Sequence, residues 1–166
     1  MLIRILGGAM LMIAALWGGR QASASIRACA KLFRCFLNAL ELLRADIAAF
    51  VPLSESLRHA SSAHGSAARF FEAAALRIET ENRVFYEIWT EELTRLQLPA
   101  EAFESLCALG EQLGKYDVQT QLRALDRCIR TFEQLERVAL DKAGREAELR
   151  LRLTAAGGAL LLIMLW

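Results

Sequence analysis

The sequence predicts an all-α fold, and three observations carry that prediction. Apolar residues recur in steps of three and four through most of the chain, no period-two alternation persists long enough for a sheet, and Pro52 and Pro99 are the only prolines. The first helix is predicted from the stripe Ile26, Ala30, Phe33, Leu37, Leu40 and Ile47. It ends near Phe50, because Pro52 disfavours helix at Val51. A short helix follows over Leu53 to Ala60, and Ser61-Ser62-Ala63-His64-Gly65-Ser66 reads as a loop. Phe70, Phe71, Ala74, Ala75 and Ile78 mark the next helix. Val84, Phe85, Ile88, Trp89, Leu93 and Leu96 mark another, with the break between Thr80 and Asn82.

Pro99 is placed in the first turn of a helix, where a missing N–H is harmless, and Glu101 and Glu104 suit the positive end of its dipole. That helix carries Phe103, Leu106, Cys107 and Leu113. From Asp117 a last helix is expected to run to the end of the sequence on Val118, Leu122, Leu125, Ile129, Phe132, Ala139 and Ala143, interrupted at Glu136. Its seam suits coiled-coil-like pairing with the helix over about 20–50.

The two ends are apolar. Neither Ile5 to Gly19 nor Leu153 to Trp166 contains an ionisable side chain. As helices they cover about 21–23 Å, short of the ~30 Å hydrocarbon core but extendable by snorkelling arginines. The sequence therefore divides into a transmembrane helix at 2–19, a helical domain at 20–152 and a second transmembrane helix at 153–166. Arg20, Arg27, Lys31 and Arg34 follow the first span, and Lys142, Arg145, Arg150 and Arg152 precede the second. The positive-inside rule then puts the middle in the cytoplasm. The rival reading is a cleaved signal peptide ending at Ala22-Ser23-Ala24, which would leave an exported helical envelope protein anchored at its C-terminus.

A net charge of +1 provides no field for nucleic acid. Cys29, Cys35, Cys107 and Cys128 form no CxxC pair and are read as buried free thiols. His59 and His64 flank the Ser-rich loop with no ligand at metal-site spacing, and Glu79/Glu81 and Glu91/Glu92 are assigned to wet helix faces. Gly110-Glu111-Gln112-Leu113-Gly114-Lys115-Tyr116 is no phosphate loop: only three residues separate its glycines, and Tyr116 stands where a Ser or Thr must hold Mg²⁺. It reads instead as a helix C-cap, with Gly114 left-handed, Lys115 near the free carbonyls and Asp117 capping the next helix. No catalytic residue, cofactor site or metal site is assigned.

Two strings resemble the stage III sporulation protein AB family of endospore-forming bacteria. One runs from Leu40-Glu41 through Ile47 to Pro52-Leu53, with Glu55 and Leu57. The other is Leu109 to Asp117 followed by Gln121, similar to the family's Gly-x-x-Leu-Gly-x-x-Asp-x-x-x-Gln segment. The resemblance spans essentially the whole chain, including Gly7-Gly8 in the first apolar run. Where the family carries an aromatic-Gly turn before its Pro-Leu pair, this chain has Ala48-Ala49-Phe50-Val51.

The resemblance implies a non-enzymatic scaffold in the mother-cell membrane around the forespore, part of the secretion-like complex linking the two cells. Its helical cytoplasmic domain would be similar to that of the type II secretion platform protein. Its partners would be a secretion-type ATPase like stage III sporulation protein AA, other membrane proteins of the complex, and membrane lipid. Pro52, Gly110, Gly114, Lys115, Asp117 and Gln121 are the expected structural and interaction residues, with Gly110, Gly114, Asp117 and Gln121 organising the bend between the last two helices.

Overall fold

In a computed structural model, residues 27–165 are described, with the side chains of 147 and 150–165 excepted. The span expected at 2–19 lies outside them, as do the Ala22-Ser23-Ala24 site and Trp166. Described residues form α1 (27–48), α2 (Leu53–Ala60), α3 (Ser66–Thr80), α4 (Phe85–Thr94), α5 (Ala100–Gln112) and α6 (Val118–Leu165), with no strand among them. Among the described residues no helix is long and apolar enough to cross a membrane. A membrane-length window at the end of α6 takes in Glu148, Arg150 and Arg152 along with the apolar run from Leu153.

The chain divides into two compact units, Lys31–Glu136 and a second made of Met1–Ala30 with Arg137–Trp166. In the described part of the second, all helical, Ala139 is buried and Val138, Leu140 and Leu149 are exposed. The first unit holds the core. Phe36, Leu40, Leu43, Leu57, Phe71, Ile88, Trp89, Leu93, Leu106, Leu109, Leu125 and Phe132 are its largest enclosed side chains. Each such side chain contributes about 1.5–3 kcal/mol on leaving water.

Within this unit α1 and α6 run antiparallel. Phe33 and Phe36 meet Phe132 at centroid distances of 5.9 and 5.5 Å. Arg34 Nε reaches Glu136 at 2.7 Å, and Arg44 Nε reaches Asp126 at 2.6 Å. Glu136 thus interrupts the apolar stripe of α6 because it answers a cation on α1. The aromatic cluster continues from Phe36 to Phe70 (6.0 Å) and from Phe70 to Trp89 (4.7 Å), joining α1, α3 and α4.

Two element ends differ from the sequence expectation. Helix α1 stops at Ala48, and Phe50 itself takes φ +60. Val51 N–H donates to Asp46 O (3.0 Å) and Phe50 N–H to Ile47 O (3.1 Å), the bond pair of a Schellman cap with Phe50 in the place glycine usually holds. Pro99 sits one residue before α5, with ψ 147, rather than inside its first turn.

The four thiols are free, but only Cys128 is buried; Cys29, Cys35 and Cys107 are half-buried. Burial pushes the Cys128 thiol up to about 11. His59 is exposed, yet its Nδ1 lies 2.9 Å from Asp46 Oδ2. His64 is exposed.

Candidate docking groove

An open groove of about 820 Å³ lies in the first unit, lined by Leu53, Ile78, Val84, Phe85, Tyr86 and the run Gly110–Tyr116. Its floor is built by α5. Gly110 is buried within that helix, and a β-carbon there would stand 2.3 Å from Trp89 Cδ1 and 2.6 Å from Trp89 Nε1. The indole therefore lies directly on the α5 backbone, and its Nε1 donates to the Leu106 carbonyl, one helical turn earlier, at 2.8 Å. Glycine in a helix interior is about 1 kcal/mol worse than alanine, so its presence here marks a close approach. Gly110 is accordingly a seat for Trp89 and does not stand at the bend.

The bend itself begins at Leu113, which is buried and extended (ψ 132) after α5 ends. Gly114 follows with φ +71. A β-carbon on Gly114 would also come within 2.9 Å of Leu53 Cδ2, so the start of α2 closes on this turn. Gln121, from the first turns of α6, spans the bend: its Nε2 donates to Tyr116 O (2.6 Å) and its Oε1 accepts from Gly114 N–H (3.3 Å). Asp117 caps α6, its carboxylate accepting from Thr120 Oγ1 (2.8 Å) and Thr120 N–H (3.1 Å). Those bonds hold the Asp117 carboxyl below its usual range, the hydroxyl contributing most.

Pro52 lies beside this turn through Leu53. It precedes α2 with φ −54 and ψ 142, and its carbonyl accepts from Ser56 N–H (2.9 Å) and Ser56 Oγ (3.1 Å). Ser56 is buried, so its hydroxyl is satisfied locally. Lys115 is exposed, with Nζ 5.9 Å from the Tyr116 ring centroid. The expected residues are thus gathered at one place, Gly110 under the groove and the others around its end.

The sequence pattern did not single out the groove's lips. Val84 (64% exposed) and Tyr116 (47% exposed) are large apolar side chains of the lining that face water. Burial, with help from Glu111, raises the Tyr86 hydroxyl above its ordinary pKa. Burial, with help from Glu111 and Glu104, does the same for the Cys107 thiol.

An arginine–carboxylate clasp joins α3 to α4 beside Val84. Arg77 donates through Nε to Glu81 (2.6 Å), through Nη2 to Glu91 (2.7 Å) and through Nη1 to Glu92 (2.7 Å). Arg83 reaches Glu91 (2.5 Å) and Glu87 (3.3 Å). Glu92 is buried and also receives Arg95 (2.6 Å), while Glu79 pairs with Arg58. These acids therefore belong to ion pairs rather than to a freely solvated face. Glu81, then Glu91 and Glu92, hold the Arg77 guanidinium well above its ordinary pKa. Arg83 and then Arg77 pull Glu91 down to about 2. The i,i+4 spacings Arg77/Glu81 and Arg83/Glu87 were the available sequence signal.

Among the described residues no group of three or more His, Cys, Asp or Glu side chains could hold a metal ion. What the arrangement offers is an open, largely apolar recess with Val84 and Tyr116 exposed in its lining.

Comparison with known proteins gives three findings. A solved structure titled "Stage III sporulation protein AB (SpoIIIAB)" superposes with a TM-score of 0.61 at 20% sequence identity, covering 68% of this chain and 94% of that one. No curated protein matches the sequence. The profile of the family described as Stage III sporulation protein AB (spore_III_AB) matches residues 4–166. The chain belongs to the stage III sporulation protein AB family.

Proposed function

We propose that the chain is a membrane-attached, non-enzymatic scaffold of the secretion-like complex that links mother cell and forespore, and that its central domain docks a secretion-type ATPase in the cytoplasm. Family membership supports the sporulation role. The observation that carries the docking is the groove. Both strings of the family resemblance contribute to its lining, Leu53 from the first and Gly110 to Tyr116 from the second, and Val84 and Tyr116 stand exposed in it. A turn whose glycine, aspartate and glutamine are all spent on holding shape, next to apolar side chains left in water, suits a surface that binds. The apolar ends, with arginines on their inner flanks, support attachment to the mother-cell membrane with the helical domain in the cytoplasm.

The test is a pull-down of the purified ATPase, a stage III sporulation protein AA-like protein, by the detergent-solubilised full chain. Retention by the natural sequence and loss with Val84→Glu is the expected result. Equal retention by both removes the groove from the reading, and no retention by either removes the docking.

A further inference from the structure

Two opposite charge stripes lie on exposed faces of α5 and α6, helices consecutive in the chain, and Glu111 of the acidic one also lines the groove. On α6, Arg123, Arg127 and Arg130 are exposed at positions i, i+4 and i+7 and line one shallow concavity with Thr120 and Asp126. Asp126 is already engaged by Arg44 at 2.6 Å, and the next acid along the face is Glu133, itself exposed. Among the described residues none of the three arginines has a carboxylate partner. Like charges at i,i+4 destabilise a helix, so this stripe works against α6 unless something answers it.

Helix α5 carries the complement. Its sequence holds Glu101, Glu104 and Glu111 and no Lys or Arg, all three acids are exposed, and none is ion-paired among the described residues. Glu104 and Glu111 are seven residues apart, as are Arg123 and Arg130, and both spans amount to about 10.5 Å along a helix. Ala108, exposed between the two acids, leaves room for the middle guanidinium.

We propose that a second copy of this chain docks here, the Glu104/Glu111 face of α5 from one copy lying along the Arg123/Arg127/Arg130 face of α6 from the other. Arginine suits the role, since its planar fork bonds a carboxylate through two N–H groups at once. Exposed ion pairs are individually weak and screened by salt, so the association is weak, concentration-dependent and lost at high ionic strength. An anionic membrane is the poorer match, because no large apolar side chain stands among the arginines to enter it.

Sedimentation velocity of the full-length protein in one mild detergent tests this. The natural chain is expected to self-associate at about 50 mM salt and to dissociate at about 500 mM, where the screening length falls to a few ångströms. Arg123→Glu/Arg130→Glu and Glu104→Arg/Glu111→Arg are each expected to weaken association on the order of tenfold. Mixing the two double variants is expected to restore it, which a folding defect in either would not do. A natural chain that stays monomeric throughout overturns the proposal, as does a mixture no better associated than its parts. If the natural chain binds vesicles containing phosphatidylglycerol through these arginines but not itself, the face belongs to lipid and the proposal is likewise overturned.

Discussion

The indole ring of Trp89 occupies the space that a β-carbon at position 110 would need, with Cδ1 2.3 Å from that point. Gly110→Ala is expected to destabilise the domain by about 2–3 kcal/mol through overpacking. This outweighs the ~1 kcal/mol that alanine gains in helix propensity. Denaturant unfolding of the detergent-solubilised chain measures it. Trp89→Phe in the same chain should recover part of the loss, and additive losses would show that the two positions do not meet.

Phe50 makes the opposite prediction. Its side chain is 79% exposed, so it gains little from burial, and its φ of +60 is a conformation in which L-residues are strained by about 1–2 kcal/mol. Phe50→Gly is expected to raise stability by about 0.5–1 kcal/mol after the added unfolded-state entropy of glycine is subtracted. A stability loss in the same assay would mean that the ring holds something in place.

Gly114→Val combines positive φ with a β-branched side chain aimed at Leu53. Because Leu53 Cδ2 is the end of a flexible side chain, most of the penalty is backbone strain, about 2 kcal/mol. Gly114→Asn, which tolerates the left-handed region, should lose much less. Equal losses for the two would point to the contact instead of the backbone.

The clasp between α3 and α4 predicts a pH dependence. Glu91 has its folded-state pKa pulled below the usual carboxylate value, to about 2. Its contribution to stability is present above about pH 4.5 and is lost as pH falls toward 2. Glu91→Gln is therefore expected to unfold more easily than the natural chain at neutral pH, with the gap closing over that acid window. A gap independent of pH would assign the effect to packing.

Much of the architecture was legible because α2 and α3 carry strong apolar periodicity and their ends carry Pro52 and Gly65. The end of α1 was legible only in part. Pro52 signalled the stop, but nothing in Ala48-Ala49-Phe50-Val51 announces that an aromatic residue will take the glycine conformation. At the candidate site, the hydrogen bonds of Gly114, Asp117 and Gln121 are local, made between residues no more than seven positions apart, so a single string contains the signal. Gly110 belongs to a different class of position. Its reason is Trp89 on another helix, and one sequence shows the glycine without showing what lies on it. The burial of Glu92 was hidden for the same cause, since Arg77 reaches it only once α3 and α4 pack.

The central claim, that the groove lined by Val84 and Tyr116 receives the ATPase, is tested most directly in sporulating cells. A photo-crosslinking amino acid replaces Val84, a second chain carries it at Arg69 on the exposed face of α3, and the products are identified by mass spectrometry. The account predicts covalent capture of the ATPase from position 84 and none from position 69. Capture from 69 but not from 84, or no ATPase from either while both proteins are present, would contradict it.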